Sequence, residues 1–340
     1  MITFNEFMQK IELLRNKIIY DSFLKTYPKL ELKNRIVIAI SGGADSDIMI
    51  DLVIRIATIK SIPLSKLSFI FFDTGIEYQA TKEHLDKLEK KYAIKIERIK
   101  ALIPVPLGCK KFGVPFWSKR VSDMIERLQK HGFLWEDRPF DELIKEYPKC
   151  RSALRWWCNK WGEKSQFNIQ YIKGLKEFMI KNPPQFKISS KCCSGAKKNN
   201  ATKYLQSIDA DLNMYGVRKA EGGARATAYK SCFDKAKDGE TWDVYRPIFW
   251  YTNKDKELYE IAFNVKHSKC YTEYGLTRTG CAGCPFGKNF EKELKIIQKH
   301  EPKLFKAVNN IFGESYEYTR KFYEFRAEAE KKLKELRGEV

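Results

Sequence analysis

The stretch RIVIAISGGADSDIMIDLVIRI, beginning at Arg35, limits the possible folds more than any other part of the chain. RIVIAI is a short β-branched apolar run and reads as a buried strand. DSDIMIDLVIRIATIK carries apolar residues at helical spacing and reads as a helix capped by Asp45 or a neighbour. The pattern then repeats. LSFIFFDTG is a second buried strand ending at Asp73, EYQATKEHLDKLEKKY a helix, and AIKIERIK a third strand. Strands that are apolar throughout and alternate with helices need cover on both faces, so the expected fold is α/β, a doubly wound parallel sheet.

Ser41-Gly42-Gly43-Ala44-Asp45-Ser46 joins the first strand to the first helix of this pattern. Glycines let the backbone turn tightly and come close to a ligand. Backbone N–H groups, serine hydroxyls and a helix N-terminus together hold an anion. The loop lacks the lysine of G-x-x-x-x-G-K-[ST] and is shorter, so it is not that motif.

SGGADS resembles the pyrophosphate loop (PP-loop) of the adenine-nucleotide α-hydrolase superfamily. DTGIEYQAT, from Asp73, resembles the corresponding segment of phosphoadenosine phosphosulfate (PAPS) and adenosine phosphosulfate (APS) reductases, and GVRKAEGGAR, from Gly216, follows the same family's G-x-R-x-x-E-x-x-x-R pattern. The resemblance covers roughly residues 34 to 100 and 186 to 287. It implies an adenine nucleotide (PAPS, APS or ATP) held by Ser41, Gly42, Gly43, Asp45, Ser46, Asp73, Thr74, Gly75, Glu77, Gly216, Arg218, Glu221 and Arg225. It also implies catalytic roles for Asp45, Asp73 and Arg218, and Mg²⁺ if ATP is the substrate.

Nine cysteines in a chain read as cytosolic point to metal, cluster or redox chemistry rather than to disulfides. Cys281-x-x-Cys284 can grip one centre, and Cys192 and Cys193 can complete four ligands. The arrangement resembles the four-iron four-sulfur site of APS reductases, so an iron–sulfur cluster is expected, with zinc on Cys281, Cys284 and two further residues as the alternative. Sulfonucleotide reductases also carry a nucleophilic cysteine in a C-terminal E-C-G-[LI]-H-like string. This chain has no cysteine after Cys284. Either another thiol, such as Cys109 or Cys232, makes the attack, or the loop binds ATP and the protein adenylates and thiolates a nucleic acid. A non-catalytic nucleotide or cluster sensor is the third reading.

The remaining expectations concern organisation and partners. Residues 1–33 should hold a leading helix, 34–287 the nucleotide-binding domain, and 288–340 a charged helical tail that is solvated or contacts a subunit. An aromatic-rich helical insert is expected at about 101–180. FKISSKCCSG and DADLNMYGVRKAEGG read as a return to sheet strands. The formal charge of +20 suits polyanions or anionic small substrates, so nucleic acid joins the nucleotide and a redox or sulfur-donor protein as expected partners. No apolar run approaches the roughly 18 residues of a membrane span, and the chain reads as cytoplasmic, with self-association open.

Overall fold

The computed structural model describes residues 4–222, 228–287 and 289–337. They form two compact units, one running to Leu102 and resuming over Ala196–Ala282, the other comprising Ile103–Gly195 and the chain from Gly283.

The first unit opens with two helices rather than one, α1 (Phe4–Leu14) and α2 (Lys17–Leu32). The break has a local cause. Arg15 takes a left-handed φ of 46°, and the Asn16 side chain then accepts the Ile19 N–H at 3.0 Å, starting a new helix. The sheet follows the expected pattern with β1 (Ile36–Ile40), α3 (Ala44–Ile59), β2 (Leu67–Asp73), α4 (Gln79–Tyr92) and β3 (Ile96–Lys100). The chain returns to the sheet as β4 (Leu212–Tyr215), β5 (Phe233–Asp234) and β6 (Asp243–Tyr245). The spatial order is β3-β2-β1-β4-β6-β5, parallel except for β5 against β6.

Two features of this order place the site. β1 is flanked by β2 and β4, with Ile36 opposite both Leu67 and Leu212, so the chain winds outward on one side of β1 and returns on the other. Such a reversal opens a crevice at the carboxyl ends of the strands. Beneath it α3 is buried around most of its circumference, from Ala44 and Ser46 to Ile56 and Ala57, and packs against α2 and the helix Asn253–Phe263. A helix enclosed in this way holds its N-terminus still.

FKISSKCCSG does not form the expected strand. Its pairing is a single bridge of Ile188 to Val114, and Ser194–Lys198 turns into a π-helix. The run has β-type residues only as far as Ile188, and beyond it the serines and cysteines offer no apolar face to a sheet.

The second unit is helical with an aromatic core in which Trp156 and Trp157 are buried, and Trp157 Nε1 donates to the Glu136 carbonyl at 2.8 Å. The tail, expected to be solvated or to contact a subunit, contributes to that core. The helix Pro302–Leu336 buries Tyr318 and Phe322 there, while its last turns are exposed. The charged FRAEAEKKLKELRGEV string masks the apolar spacing of the turns before it. Phe322 meets Phe178 at 5.2 Å and Trp117 edge-on at 5.2 Å between ring centroids. Phe322→Ala is therefore expected to destabilise this unit by about 3–5 kcal/mol, read by urea unfolding followed through tryptophan fluorescence. Among the described residues no helix is long and apolar enough to cross a membrane.

Candidate functional site

The SGGADS loop lies at the carboxyl end of β1. Gly42 has φ of 65°, and a side chain there would also strike Thr81 Cγ2 at 2.6 Å, so the turn requires glycine. The loop is tied by its own serines. The Ser41 N–H donates to Ser46 Oγ at 3.1 Å, and the Gly43 N–H to Ser41 Oγ at 3.3 Å. No side chain of the loop caps α3. The Tyr271 hydroxyl takes that place from afar, accepting the N–H of Ala44 at 3.1 Å and of Thr279 at 3.2 Å.

Gly216, just beyond β4, lies directly against the start of α3. A methyl group on it would sit 2.7 Å from the Asp45 carbonyl oxygen and 3.0 Å from the Ser46 nitrogen. This approach brings Arg218 to the loop. Its Nε lies 2.9 Å from Asp45 Oδ1, and Lys256 Nζ reaches the same oxygen at 3.3 Å. Arg218 Nη1 donates to Asn253 Oδ1 at 3.0 Å, and the Arg218 N–H donates to Glu221 Oε1 at 3.2 Å. Arg218 Nε and Asp45 Oδ1 are both buried, yet neither makes an aligned hydrogen bond. The guanidinium is held by charge, and its Nε–H retains capacity for an acceptor.

These groups line a polar recess of about 120 Å³, to which Arg278 and Thr279 also contribute. Ser41, Gly216, Arg278 and Thr279 also border a second cleft of about 440 Å³ over the ends of β1, β2 and β4. Ile40, Phe71, Phe72, Leu205, Val217 and Tyr229 give that cleft an apolar lining. A cationic recess thus opens into a slot with aromatic and aliphatic walls.

Asp73, Thr74, Gly75 and Glu77 form a knot at the end of β2. Glu77 Oε1 accepts from both the N–H and the hydroxyl of Thr74, and Gly75 N–H donates to Asp73 Oδ1 at 2.9 Å and to Glu77 Oε2 at 3.0 Å. Burial and the hydrogen bond shared with Asp73 push the Glu77 carboxyl above its usual range. Burial acts against Asp73 too, but its bonds to Glu77 and the Gly75 amide, with Lys82 and Lys100 nearby, hold it below. Glu77 therefore keeps its proton to higher pH than Asp73, the arrangement of a carboxyl pair in which one member can take up a proton while the other stays ionised. Thr74 Oγ1 also lies 3.5 Å from Cys281 Sγ.

Residues 35–286 match the family model of the phosphoadenosine phosphosulfate reductase domain. The chain belongs to this family. It is also 25% identical over 296 residues to an uncharacterised protein of Methanocaldococcus jannaschii, a match that spans 86% of this chain but 44% of that protein. Among solved structures it is similar to a phosphoadenylyl-sulfate reductase from Candida auris in a phosphate complex (11% identity, TM-score 0.37, covering 73% of this chain and 81% of that one). It is similar as well to the U34-tRNA thiolase NcsA of Methanococcus maripaludis with its [4Fe-4S] cluster (14%, 0.36, 89% and 80%) and to an NH3-dependent NAD synthetase from Campylobacter jejuni (12%, 0.35, 89% and 95%). Likenesses this distant carry no argument about the site.

Within the PAPS reductase family reading, the loop, Gly216, Arg218 and Glu221 come together, and Asp73 to Glu77 sit at the neighbouring strand end. Arg225 lies outside the described residues. Cys232, expected among the catalytic groups, instead lines a separate cavity of about 190 Å³ with Tyr245, Trp250 and Tyr251. The short β5 strand that follows it pairs with β6 at the far edge of the sheet, away from β1.

The expected cysteine ligands are divided between the units. Cys281 belongs to the first unit, and Cys192, Cys193 and Cys284 to the second. In the second unit Cys192 shares hydrogen bonds with Cys109 and Cys193, and the Cys109 bond, Cys284 and burial raise its thiol pKa. Cys109, which the sequence offered as a possible attacking thiol, is thus a neighbour of Cys192. Thiolates suit iron or zinc, but among the described residues no group of three or more cysteine, histidine or acidic side chains is arranged to hold a metal ion. None of the nine cysteines forms a disulfide. Cys150 donates to the Arg127 carbonyl, a structural role.

Sequence reasoning missed Lys256, Tyr271, Arg278 and Thr279. Thr279 and Arg278 had a signal, since TRTG leads directly into Cys281. Lys256 and Tyr271 had none beyond being ordinary surface-type residues in helical segments.

Proposed function

We propose that the first unit binds an adenine sulfonucleotide, with the nucleoside in the 440 Å³ cleft and the anhydride on residues 41–46 beneath Arg218, Lys256 and Arg278. The buried Arg218 Nε–H without an aligned acceptor carries this reading, because such a donor is costly unless a ligand satisfies it. Cys281 is the thiol that serves as the nucleophile. It follows Gly280, which lines the cleft, and its Sγ is linked through Thr74 Oγ1 to Glu77. The Cys281 proton passes through the Thr74 hydroxyl to the Glu77 carboxylate. The thiolate then attacks the sulfur of the phosphosulfate, an S–S bond forms, and the S–O bond to phosphate breaks. The nucleotide phosphate leaves with the electron pair, stabilised by Arg218, Lys256 and Arg278. An external dithiol, of a redox protein or a small molecule, then releases sulfite and restores the Cys281 thiol, itself becoming a disulfide.

Calorimetric titration with PAPS, APS and ATP tests binding, and incubation with dithiothreitol tests turnover. We expect a sulfonucleotide to bind, sulfite to form, and mass spectrometry to find a sulfonate on Cys281 before reductant is added. Cys281→Ser should bind normally and form no sulfite. Absence of binding by all three nucleotides would sink the reading. Pyrophosphate release from ATP, stimulated by RNA or DNA and with no sulfite from either sulfonucleotide, would replace it with nucleic-acid thiolation, which the charge of +20 also suits.

A further inference from the structure

A row of charges runs from Arg218 and Lys256 back to the buried Asp47, and the reaction above does not use its far members, Glu260, His267 and Asp47. Asp47, in the first turn of α3 and fully buried, holds two imidazoles, with His84 Nε2 at 2.9 Å from Oδ1 and His267 Nδ1 at 2.8 Å from Oδ2. The other nitrogen of His267 lies 2.7 Å from Glu260 Oε1. Glu260 is 3.7 Å from Lys256 Nζ, which is 3.3 Å from Asp45 Oδ1, itself 2.9 Å from Arg218 Nε. Signs alternate along the row when His267 is protonated: Arg218, Asp45, Lys256, Glu260, His267, Asp47. Both ends attach to the same turn of α3, through Asp45 and Asp47, and the links come from the segment after β4, the helix Asn253–Phe263 and the segment after that helix.

We propose that His267 is a positioning residue for the anion loop, closing this alternating row so that both carboxylates of the first turn of α3 are fixed and the loop amides stay aimed at the ligand. Without its charge Asp47 and Glu260 would meet across a neutral ring, and Glu260 would draw Lys256 from Asp45. The groups facing His267 are Asp47 from α3, Glu260 from the preceding helix, and Tyr271, whose ring centre is 5.8 Å away and whose hydroxyl holds the Ala44 N–H. Burial opposes the charge of His267, but Asp47 and Glu260 outweigh it and raise its pKa to about 9. A raised folded-state pKa means that the stabilisation is complete below the ordinary value near 6.5 and is lost as pH rises through about 9. Anion affinity should decline over the same upper limb.

The proposal rests on the nucleotide reading for its binding arm, so a second arm uses the ligand-free protein. In wild type, ATP or PAPS affinity is expected to fall about tenfold between about pH 7.5 and about pH 10. His267→Gln, which keeps hydrogen bonding without charge, should bind about tenfold more weakly at about pH 7.5 and show no midpoint near 9. Without ligand, amide exchange over residues 41–48 should be faster in this variant, while exchange in β1 is unchanged. Should His267→Gln fold poorly, Glu260→Gln, which removes a partly exposed carboxylate from the imidazole, should move the imidazole midpoint, read by NMR, clearly below that of wild type. Unchanged exchange, or pH profiles identical in wild type and variant, would overturn the proposal. If no nucleotide binds at any pH, the nucleotide reading fails, and the exchange result and the imidazole midpoint alone decide whether His267 holds the loop.

Discussion

Gly216→Ala is expected to weaken nucleotide binding about a hundredfold, the scale on which a small misplacement of a binding loop acts. The added methyl would lie 2.7 Å from the Asp45 carbonyl oxygen, 2.9 Å from its carbon and 3.0 Å from the Ser46 nitrogen. All three are backbone atoms at the start of an enclosed helix, so no side chain can swing aside. Either β4 or the loop must shift, and overpacking of this kind costs about 1–3 kcal/mol. Calorimetry and urea unfolding read the two effects separately. Gly313→Ala is the control, since a methyl there meets nothing within 4 Å inside the helix Pro302–Leu336. That change should leave binding intact and be neutral or stabilising by up to about 1 kcal/mol. Wild-type affinity in Gly216→Ala would show that the close approach does not shape the site.

Arg218→Ala should lose both affinity and stability. A hydrogen bond to a charged group contributes about 1.5–3 kcal/mol, so removing the guanidinium predicts a loss of about ten- to a hundredfold in affinity. Arg218 is 6% exposed, and its Asp45 partner would be left with Lys256 alone. Breaking a buried pair from one side costs about 3–5 kcal/mol, and the remaining lysine places the expectation at about 3 kcal/mol. The double variant Asp45→Asn, Arg218→Met should recover part of that stability without recovering binding, because no unpaired charge remains. Full stability in Arg218→Ala would show that the pair is loosely solvated.

The parts of the fold that were legible before the structure share a physical character. RIVIAI and LSFIFF are strands because each is apolar on both faces, which only a covered parallel sheet satisfies, and they became β1 and β2. Gly42 stood out because glycine is needed where the chain turns left-handed, and Gly216 through its place in the family pattern, for which the structure supplies the reason that two backbones meet there. Where local composition misled, a neighbour far along the chain made the decision. FKIS found one bridge and no sheet, and the charged tail supplied Tyr318 and Phe322 to an aromatic core. For the cysteines, spacing grouped Cys281 with Cys284, and the structure adds partners that spacing does not give, Thr74 beside Cys281 and Cys109 against Cys192.

The sequence by itself determined the α/β sheet, the anion loop between β1 and α3, and the family, since these depend on residues adjacent in the chain and on backbone freedom. Tertiary structure alone added Lys256, Glu260 and His267 to the charges around the loop. Asp47 and His267 are 220 residues apart, and Ala44 and Tyr271 are 227 apart. No local pattern marks such partners, because a buried carboxylate needs only some countercharge within about 3 Å, and which residue supplies it follows from how β4 and the helix after it return to the first strand.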